Sequence, residues 1–343
     1  MSPSHATAPT AYVVVGDVMV DQLAPLAGPL EAGRDNPTHV RRELGGQAAN
    51  SAAWLAAISD DASVHLIGAV GDDDNGMWVE STLTASGVRA HFERMPAPTG
   101  QCFVAITPDG ERTMFPDPGA NTSLGSTFLG RAIHSIRDSP TVPNRLHLHL
   151  SGYLVARSPD IADAAISKLN NADCVSIDTP SLRLESGQRQ RLFEMLTASH
   201  LLFANGEEIA ALAGEELRTR DHLDESIVAN LVAGFRVRSG FSGVVVVKAG
   251  SHGAYASSGS HWLHTPAVST TPIDTTGAGD AFAAGFLAAW TPGPNDETGD
   301  ASGLQAPLSA GAQVAAQAVS RFGAGPTVGR SSEREGMADA SGE

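Results

Sequence analysis

The stretch Asp274-Thr275-Thr276-Gly277-Ala278-Gly279-Asp280 decides how this chain is interpreted. Its two glycines precede the apolar run 281–290, whose composition predicts a helix. The first N–H groups of a helix have no intrahelical acceptor, and the helix dipole adds positive potential at that end. Glycine lets an anion approach the backbone closely. We therefore expect Gly277, Ala278 and Gly279 to form an anion hole that suits a phosphoryl group.

Asp280 follows directly, at the mouth of the expected hole. A carboxylate at this place can accept the proton of an attacking hydroxyl group, and a weak base suffices because phosphoryl transfer is loose. The helix N-terminus is expected to lower the pKa of Asp280, so that it stays ionised at neutral pH. The alternative is structural, because Asp and Gly also favour helix starts that have no chemistry.

Strand and helix patterns alternate along most of the chain. The strand candidates are residues 11–19, 64–70, 146–150, 174–178, 201–204 and 244–248. This alternation predicts an α/β domain, in which helices cover a central, mostly parallel sheet. A separate β-hairpin is predicted at 101–115, because Pro108-Asp109-Gly110 is a turn signal between two apolar runs.

Composition excludes several classes of partner. The chain has 22 Lys+Arg against 38 Asp+Glu, and the net charge of -16 repels nucleic acids and anionic membranes. Lys168 and Lys248 are its two lysines, so a phosphate site must use backbone N–H groups, arginine or a metal ion. Cys102 and Cys174 lie far apart and are expected to be reduced. Neither a secretory signal nor a run of about 18 apolar residues is evident, so the expected compartment is the cytoplasm.

Other phosphate-binding motifs do not fit. The P-loop pattern G-x-x-x-x-G-K-[ST] is absent from the sequence. Phe282 occupies the position where a dinucleotide-binding G-x-G-x-x-G motif would need its third glycine.

Four segments together carry a family resemblance. The stretch 274–285 resembles the C-terminal signature of the PfkB/ribokinase family of sugar and nucleoside kinases, and Gly45-Gly46-Gln47-Ala48-Ala49-Asn50 resembles its N-terminal signature. Asn205-Gly206-Glu207-Glu208 is similar to the family's N-x-x-E motif, and residues 248–253 resemble its nucleotide-binding strand and turn. These segments occur in the family's order.

The resemblance implies a ribokinase-like three-layer α/β/α fold that uses ATP and Mg²⁺. It implies Asp280 as catalytic base, with Gly277, Ala278 and Gly279 as the anion hole. Residues implied at the nucleotide are Asn205, Lys248, Gly250, Ser251 and Gly253, although Lys248 fits a strand-end lysine without a ligand equally well. Residues implied at metal ions are Glu208, near Mg²⁺, and Asp274, which with the backbone of 322–325 would border a monovalent cation such as K⁺.

Acceptor-binding residues are also implied by the resemblance: Asp21, Gly45, Gly46, Gln47, Asn50 and Arg112. A carboxylate and an amide suit vicinal hydroxyl groups, whereas the structural alternatives are a turn residue for Asp21 and a helix cap for Asn50. Ribose-specific relatives carry Lys where Gln47 stands and an acidic residue near Ser151, which argues against ribose itself. Arg112 would favour an acidic sugar if it points inward. Tyr153 fits either a stacking platform for a sugar or base, or the core.

The family's β-sheet lid is expected from about 22–40 and 89–118, within a kinase domain of residues 11–328. A lid of this kind often pairs two subunits, so a homodimer is expected. Residues 1–10 and 329–343 are expected to be a flexible tail and a disordered tail. Two other functions remain open: a nucleoside kinase of the same fold, or a sugar-binding regulator that has lost activity.

Overall fold

The computed structural model describes residues 11–59, 62–108, 112–143, 145–181, 184–217, 223–290 and 301–326. The two predicted tails, the Asp109-Gly110 part of the hairpin turn and Glu111 lie outside these ranges. The strands are β1 (Ala11–Val15), β2 (Met19–Pro25), β3 (Arg41–Gly45), β4 (Ser63–Gly71), β5 (Arg89–Met95), β6 (Gly100–Ile106), β7 (Arg112–Asp117), β8 (Leu146–Ser151), β9 (Cys174–Asp178), β10 (Leu201–Asn205), β11 (Val244–Lys248), β12 (Ala254–Ser258) and β13 (His261–Thr265).

Nine of these strands form one large sheet in the order β13-β12-β11-β10-β9-β8-β1-β4-β5. Every neighbouring pair from β11 to β5 is parallel, and β12 and β13 extend the sheet as antiparallel strands. The predicted central, mostly parallel sheet is therefore confirmed. Continuous apolar runs such as Val244-Val245-Val246-Val247 in β11 are buried throughout, which parallel strands with helices on both faces require.

Helices cover both faces of this sheet. The described helices are α1 (Gln47–Ile58), α2 (Asp74–Ala85), α3 (Ser126–Arg137), α4 (Gly152–Arg157), α5 (Pro159–Ile166), α6 (Ser186–Leu196), α7 (Gly206–Ala213), α8 (Glu225–Ser239), α9 (Ala278–Ala289) and α10 (Gln305–Val319). Along β1, Val13 and Val15 pack into the core under α3–α8, while Tyr12 and Val14 pack into the core under α1, α2, α9 and α10. The alternation of side chains along each strand thus feeds two apolar layers.

Strand order reverses beside β1, and this reversal places the site. The chain runs outward from β1 to β4 and β5 on one side, and from β8 to β11 on the other. Ligands of such sheets bind beyond the carboxyl ends of the strands at this reversal. Five polar or charged residues lie at those ends: Asp17, Ser151, Asp178, Asn205 and Lys248.

A separate four-stranded sheet has the order β3-β2-β6-β7 and is called the small sheet below. The predicted hairpin is confirmed, because β6 and β7 pair antiparallel. The lid was expected to include residues 22–40, but the N-terminal part of the small sheet consists of β2 and β3, which lie on either side of residues 26–40. Residues 89–95 form β5, which pairs parallel with β4 in the large sheet, so their assignment to the lid is wrong.

No helix in the described ranges has the length and apolar character that crossing a membrane requires. Cys102 and Cys174 are both buried.

Candidate active site

The loop 274–278 and the start of α9 form the centre of the site. Gly277 caps α9 in the left-handed region, with φ of 70°, a conformation that glycine adopts without strain. A Cβ atom at Gly277 would lie 2.6 Å from the Cβ of Ala324, so only hydrogen fits there. The N–H groups of the first turn of α9 have no intrahelical acceptor and face outward at this end. The backbone N of Ala278 lies 3.4 Å from the carbonyl oxygen of Thr275, and the anion hole at this helix start stays a prediction.

Asp280 lies in the first turn of α9 and is half-buried. Its Oδ2 accepts a hydrogen bond of 2.9 Å from Nδ2 of Asn50, which lies in the first turns of α1. Burial and the nearby Asp178 carboxylate raise the pKa of Asp280 well above its ordinary value, and Asp17 adds to that rise, while Asn50 and Lys248 oppose it. The expected lowering of this pKa is wrong, because desolvation and like charges outweigh the helix N-terminus.

Lys248 ends β11 beneath the glycines of α9. Its Nζ donates to both carboxylate oxygens of Asp178, at 2.8 and 3.0 Å, and a Cβ at Gly279 would lie 3.2 Å from that nitrogen. Burial lowers the pKa of Lys248, but the carboxylates of Asp178 and Glu208 outweigh burial and raise it overall. Lys248 is therefore an ammonium that is already paired, which differs from both a free nucleotide ligand and a solvated strand-end lysine.

Asp21 lies near Asp17 and near Asp274 of the loop, whose charges act on it. Asp21 is buried on β2, and a Cβ at Gly45 would lie 2.0 Å from its Oδ1, so Gly45 leaves the space that this carboxylate fills. Burial, and then the charges of Asp17, Asp274 and Glu43, raise the pKa of Asp21 to about 7. At neutral pH this carboxyl group is present in both forms, so it can accept or donate a hydrogen bond to a hydroxyl group.

Gln47 is held by a network that involves Asp17 and the end of β8. Oε1 of Gln47 accepts from Oγ of Ser151 and from the backbone N of Gly152, both at 2.9 Å. Oδ2 of Asp17 accepts from the backbone N of Gln47 at 3.1 Å, and Oγ of Ser151 lies 2.5 Å from Oδ1 of Asp17. Gly46, with φ of 92°, lets the Asp17 carbonyl approach, where a Cβ would lie 2.5 Å away. This network joins the start of α1 to the ends of β1 and β8.

Arg112 joins the small sheet to the loop. Its Nη2 lies 2.6 Å from Oδ1 of Asp274, and its side chain is 17% exposed, so it points inward. Asp274 is buried and also accepts from the backbone N and the Oγ1 of Thr276 and from the backbone N of Gly323. Asp274 thus connects the small sheet, the anion-hole loop and the segment 322–325.

Asn205 and Glu208 form a capping box at the start of α7. Oδ1 of Asn205 accepts from the backbone N of Glu208 at 2.9 Å, and Nδ2 of Asn205 donates to Oε1 of Glu208 at 2.7 Å. Glu208 accepts further bonds from the backbone N of Asn205, Oγ1 of Thr179 and Oγ of Ser181. Within the described ranges, no group of three or more His, Cys, Asp or Glu side chains could hold a metal ion. The expected place of Glu208 near Mg²⁺ stays a prediction, and its two carboxylate oxygens already accept hydrogen bonds from protein groups.

The turn after β11 contains Gly250, Ser251 and Gly253. Gly250 has φ of 58° and open space on its Cβ side, and the side chain of Ser251 is exposed. Gly253 has φ of 90°, and a Cβ there would lie 1.9 Å from the carbonyl oxygen of Thr265. The atom that lies this close to Gly253 belongs to β13, and the role of Gly253 at the nucleotide stays a prediction. Glycine is therefore required at position 253 because the backbone of β13 packs against it.

The structure brings together residues from both ends of the sequence, and two carboxylates among them were missed. Asp17 follows β1 and Asp178 ends β9, and neither belongs to a quoted motif. Both are acidic residues at the carboxyl end of a buried parallel strand, which is the signal that could have identified them.

Comparison with known sequences places the chain in a family. The profile described as "pfkB family carbohydrate kinase" matches residues 10–328. The chain is 35% identical over 255 residues to an ATP-dependent ribose-1-phosphate kinase of Halopiger xanaduensis, an alignment that covers 73% of this chain and 74% of the relative. It is 28% identical over 289 residues to a fructokinase of Klebsiella pneumoniae, covering 80% of this chain and 82% of the relative.

Solved structures show the same fold. A ribokinase of Giardia lamblia superposes with a TM-score of 0.76 at 19% identity, covering 92% of this chain and 95% of that chain. A double mutant of a fructokinase from Vibrio cholerae, in its fructose-, ADP- and potassium-bound form, gives a TM-score of 0.71 at 22% identity, covering 94% and 96%. The predicted ribokinase-like fold is confirmed.

Proposed function

The chain belongs to the pfkB family of carbohydrate kinases, and from that premise we propose that it transfers the γ-phosphoryl group of ATP to a hydroxyl group of a sugar, with Asp280 as the catalytic base. One observation carries this proposal: Asp280 lies at the glycine-capped start of α9 and is oriented by Asn50. A sugar-binding regulator without activity would have no need to keep the carboxylate, the amide and the glycines in this arrangement.

Each residue has a role that follows from its position. Bound Mg·ATP supplies the phosphoryl group and the counter-charge for it. Asp280 accepts the proton of the attacking hydroxyl group, and Asn50 holds Oδ2 in place through its amide. The N–H groups at Gly277, Ala278 and Gly279 offset the charge of the phosphoryl group in transfer. Asp21 binds a neighbouring hydroxyl group of the sugar, which places the acceptor rather than activating it.

The implied ions have different fits. Glu208, with Asn205, would hold Mg²⁺ through its waters, since the carboxylate already accepts four hydrogen bonds. A monovalent cation beside Asp274 would rely on backbone carbonyl groups, because the Asp274 carboxylate is paired with Arg112 and accepts three hydrogen bonds. K⁺ is supported here by the potassium-bound fructokinase of the same fold.

The acceptor is proposed to carry an anionic group, such as a phosphate, which Arg112 binds. Arg112 points inward from the small sheet, and its buried Nε has no hydrogen-bond partner among the described residues, so the guanidinium has bonding capacity that Asp274 does not use. The relative that is 35% identical acts on ribose-1-phosphate, a sugar with such a group. A nucleoside acceptor has less support, because the guanidinium of Arg157 already lies 5.5 Å from the ring centre of Tyr153.

We expect an ADP-release screen to show turnover with phosphorylated or acidic sugars, and the variant Arg112→Met to raise KM for them at least about tenfold, as the loss of a charged hydrogen bond of 1.5–3 kcal/mol implies. KM for the acceptor should change more than KM for ATP, and the melting temperature should also fall, because Arg112→Met leaves the buried Asp274 without its partner. The panel contains ribose, fructose, ribose-1-phosphate, keto-deoxy sugar acids and nucleosides.

Arg42→Met is the matched control, since Arg42 belongs to the same sheet but packs on Trp78 on the opposite face. Turnover with neutral sugars alone would contradict the proposal of an anionic acceptor but would support the proposed kinase activity. Sugar binding in calorimetry without any ADP release would support the silent regulator instead.

The small sheet is also proposed to pair two subunits. Phe103 and Phe115 face each other across β6 and β7, and they are 44% and 54% exposed, which leaves an aromatic pair on the outer face of the sheet. We expect a dimer in sedimentation analysis, and the double variant Phe103→Ser/Phe115→Ser to shift it to monomer. A wild-type monomer at micromolar concentration would contradict this pairing.

A further inference from the structure

The buried ion pair between Lys248 and Asp178 has no role in the mechanism above, although it lies next to the anion hole. Asp178 is fully buried at the end of β9, and both of its oxygens accept from Nζ of Lys248. The same nitrogen would be 3.2 Å from a Cβ at Gly279, so it lies directly beneath the residue that precedes Asp280. A buried ion pair seldom stabilises a protein more than apolar residues of the same volume would. We therefore consider a functional role for this pair.

Asp280 is surrounded by groups from five elements. Asn50 of α1 donates to it, Asp17 approaches from the end of β1, Asp178 from the end of β9, Lys248 from the end of β11, and Tyr153 from α4. Among these groups Lys248 carries the one positive charge, and Asp17 and Asp178 carry negative charges. The carboxylate of Glu208 on α7 also acts on Lys248, Asp178 and Tyr153. Without Lys248, the negative charges of Asp178 and Asp17 would act on Asp280 with no positive charge among these groups to oppose them, and like charges disfavour ionisation.

We propose that Lys248 is a positioning residue of the active site: by neutralising Asp178 behind the anion hole, it leaves Asp280 as the carboxylate that accepts the hydroxyl proton. This inference rests on the proposed function of Asp280. It gives Lys248 an action through Asp178 rather than on ATP. Lys248→Arg should retain much of the effect, because a guanidinium can also pair with both oxygens of a carboxylate.

Three variants separate this action from the alternatives. Lys248→Met should move the acidic limb of the pH profile of kcat upward by roughly 1–3 pH units, because Asp280 must be deprotonated to act and the unpaired Asp178 raises its pKa. Asp178→Asn should move the limb downward. The double variant Lys248→Met/Asp178→Asn removes both charges, so its acidic limb should return most of the way to the wild-type position. Its KM for ATP should stay near the wild-type value.

Arg137→Met is the matched structural control. Arg137 and the buried Asp173 form another ion pair, at 2.5 Å, which lies at the amino ends of β8 and β9, away from Asp280. This variant should lower the melting temperature without moving the pH profile. If the single and double Lys248 variants were equally slow, with an unshifted limb and a raised KM for ATP, Lys248 would act on the nucleotide and the inference would be overturned.

A second readout does not depend on turnover. In protein labelled with ¹³C-aspartate, the resonance that is lost in Asp280→Asn identifies the Asp280 carboxyl group, and its titration midpoint should rise in Lys248→Met and return in the double variant. An unchanged midpoint would overturn the inference even if the enzyme is active. A shifted midpoint in a chain that phosphorylates no acceptor would support the charge coupling and contradict the proposed function instead.

Discussion

Replacing Asp280 with asparagine is expected to lower kcat by at least about two orders of magnitude, within the range of roughly 10²–10⁴ that general-base catalysis contributes. Asparagine keeps the shape of the side chain and can still pair with Asn50, but it cannot take the proton of the hydroxyl group. KM for ATP and for the acceptor should change much less than kcat, since the anion hole and Asp21 are untouched. The measurement is steady-state ADP release with the best acceptor of the screen.

A second Asp→Asn change distinguishes catalysis from capping. Asp224 caps α8, where its Oδ1 accepts from the backbone N of Ile227, and it is exposed. Asn and Asp are about equally good caps, so Asp224→Asn should leave both kcat and the melting temperature near wild type. If Asp280→Asn behaved in the same way as Asp224→Asn, Asp280 would have only a structural part in the first turn of α9, where Gly277 is the cap, and the mechanism would fail.

The fold could be predicted from the sequence where the tertiary environment of a segment leaves a pattern in its own residues. Strands such as β11 are continuous apolar runs because helices cover both faces, and that pattern is visible in one dimension. The assignment of 89–95 failed for the opposite reason. β5 is an edge strand of the large sheet with alternating polar residues, Arg89-Ala90-His91-Phe92-Glu93-Arg94-Met95, and nothing local distinguishes it from a strand of the small sheet.

The sequence motifs predicted which residues lie in the candidate site, but they did not predict how the charges of those residues act on one another. The glycines and Asp280 are adjacent in sequence, so their helix start could be read directly. The direction of the pKa shift of Asp280 could not, because its burial and the nearness of Asp178 and Asp17 arise from tertiary packing, and together they raise the pKa despite the helix N-terminus. The face of the small sheet on which Arg112 lies could not be predicted either, because side chains alternate between the two faces of a strand. The ion pair with Asp274 shows that Arg112 points inward.

Gly277→Ala is expected to lower kcat by about 10²–10³, comparable to the loss of an oxyanion-hole donor. The new Cβ would lie 2.6 Å from Cβ and 2.8 Å from Cα of Ala324. Ala324 cannot yield cheaply, because its carbonyl oxygen accepts from Nε1 of Trp54 at 2.8 Å and the neighbouring Gly323 donates to Asp274. The loop before α9 must therefore shift, and the amides of Ala278 and Gly279 shift with it, away from the phosphoryl group.

Gly240→Ala separates this clash from the cost of the left-handed backbone. Gly240 ends α8 with the same φ of 70°, but nothing lies within 4 Å of the position of its Cβ. Both variants pay about 1–2 kcal/mol for alanine in the left-handed region, so both should lower the melting temperature. Only Gly277→Ala should lose kcat, measured as ADP release at saturating ATP and acceptor. Equal activity in the two variants would mean that the position of this loop does not matter for phosphoryl transfer, and the anion hole would then have to lie elsewhere.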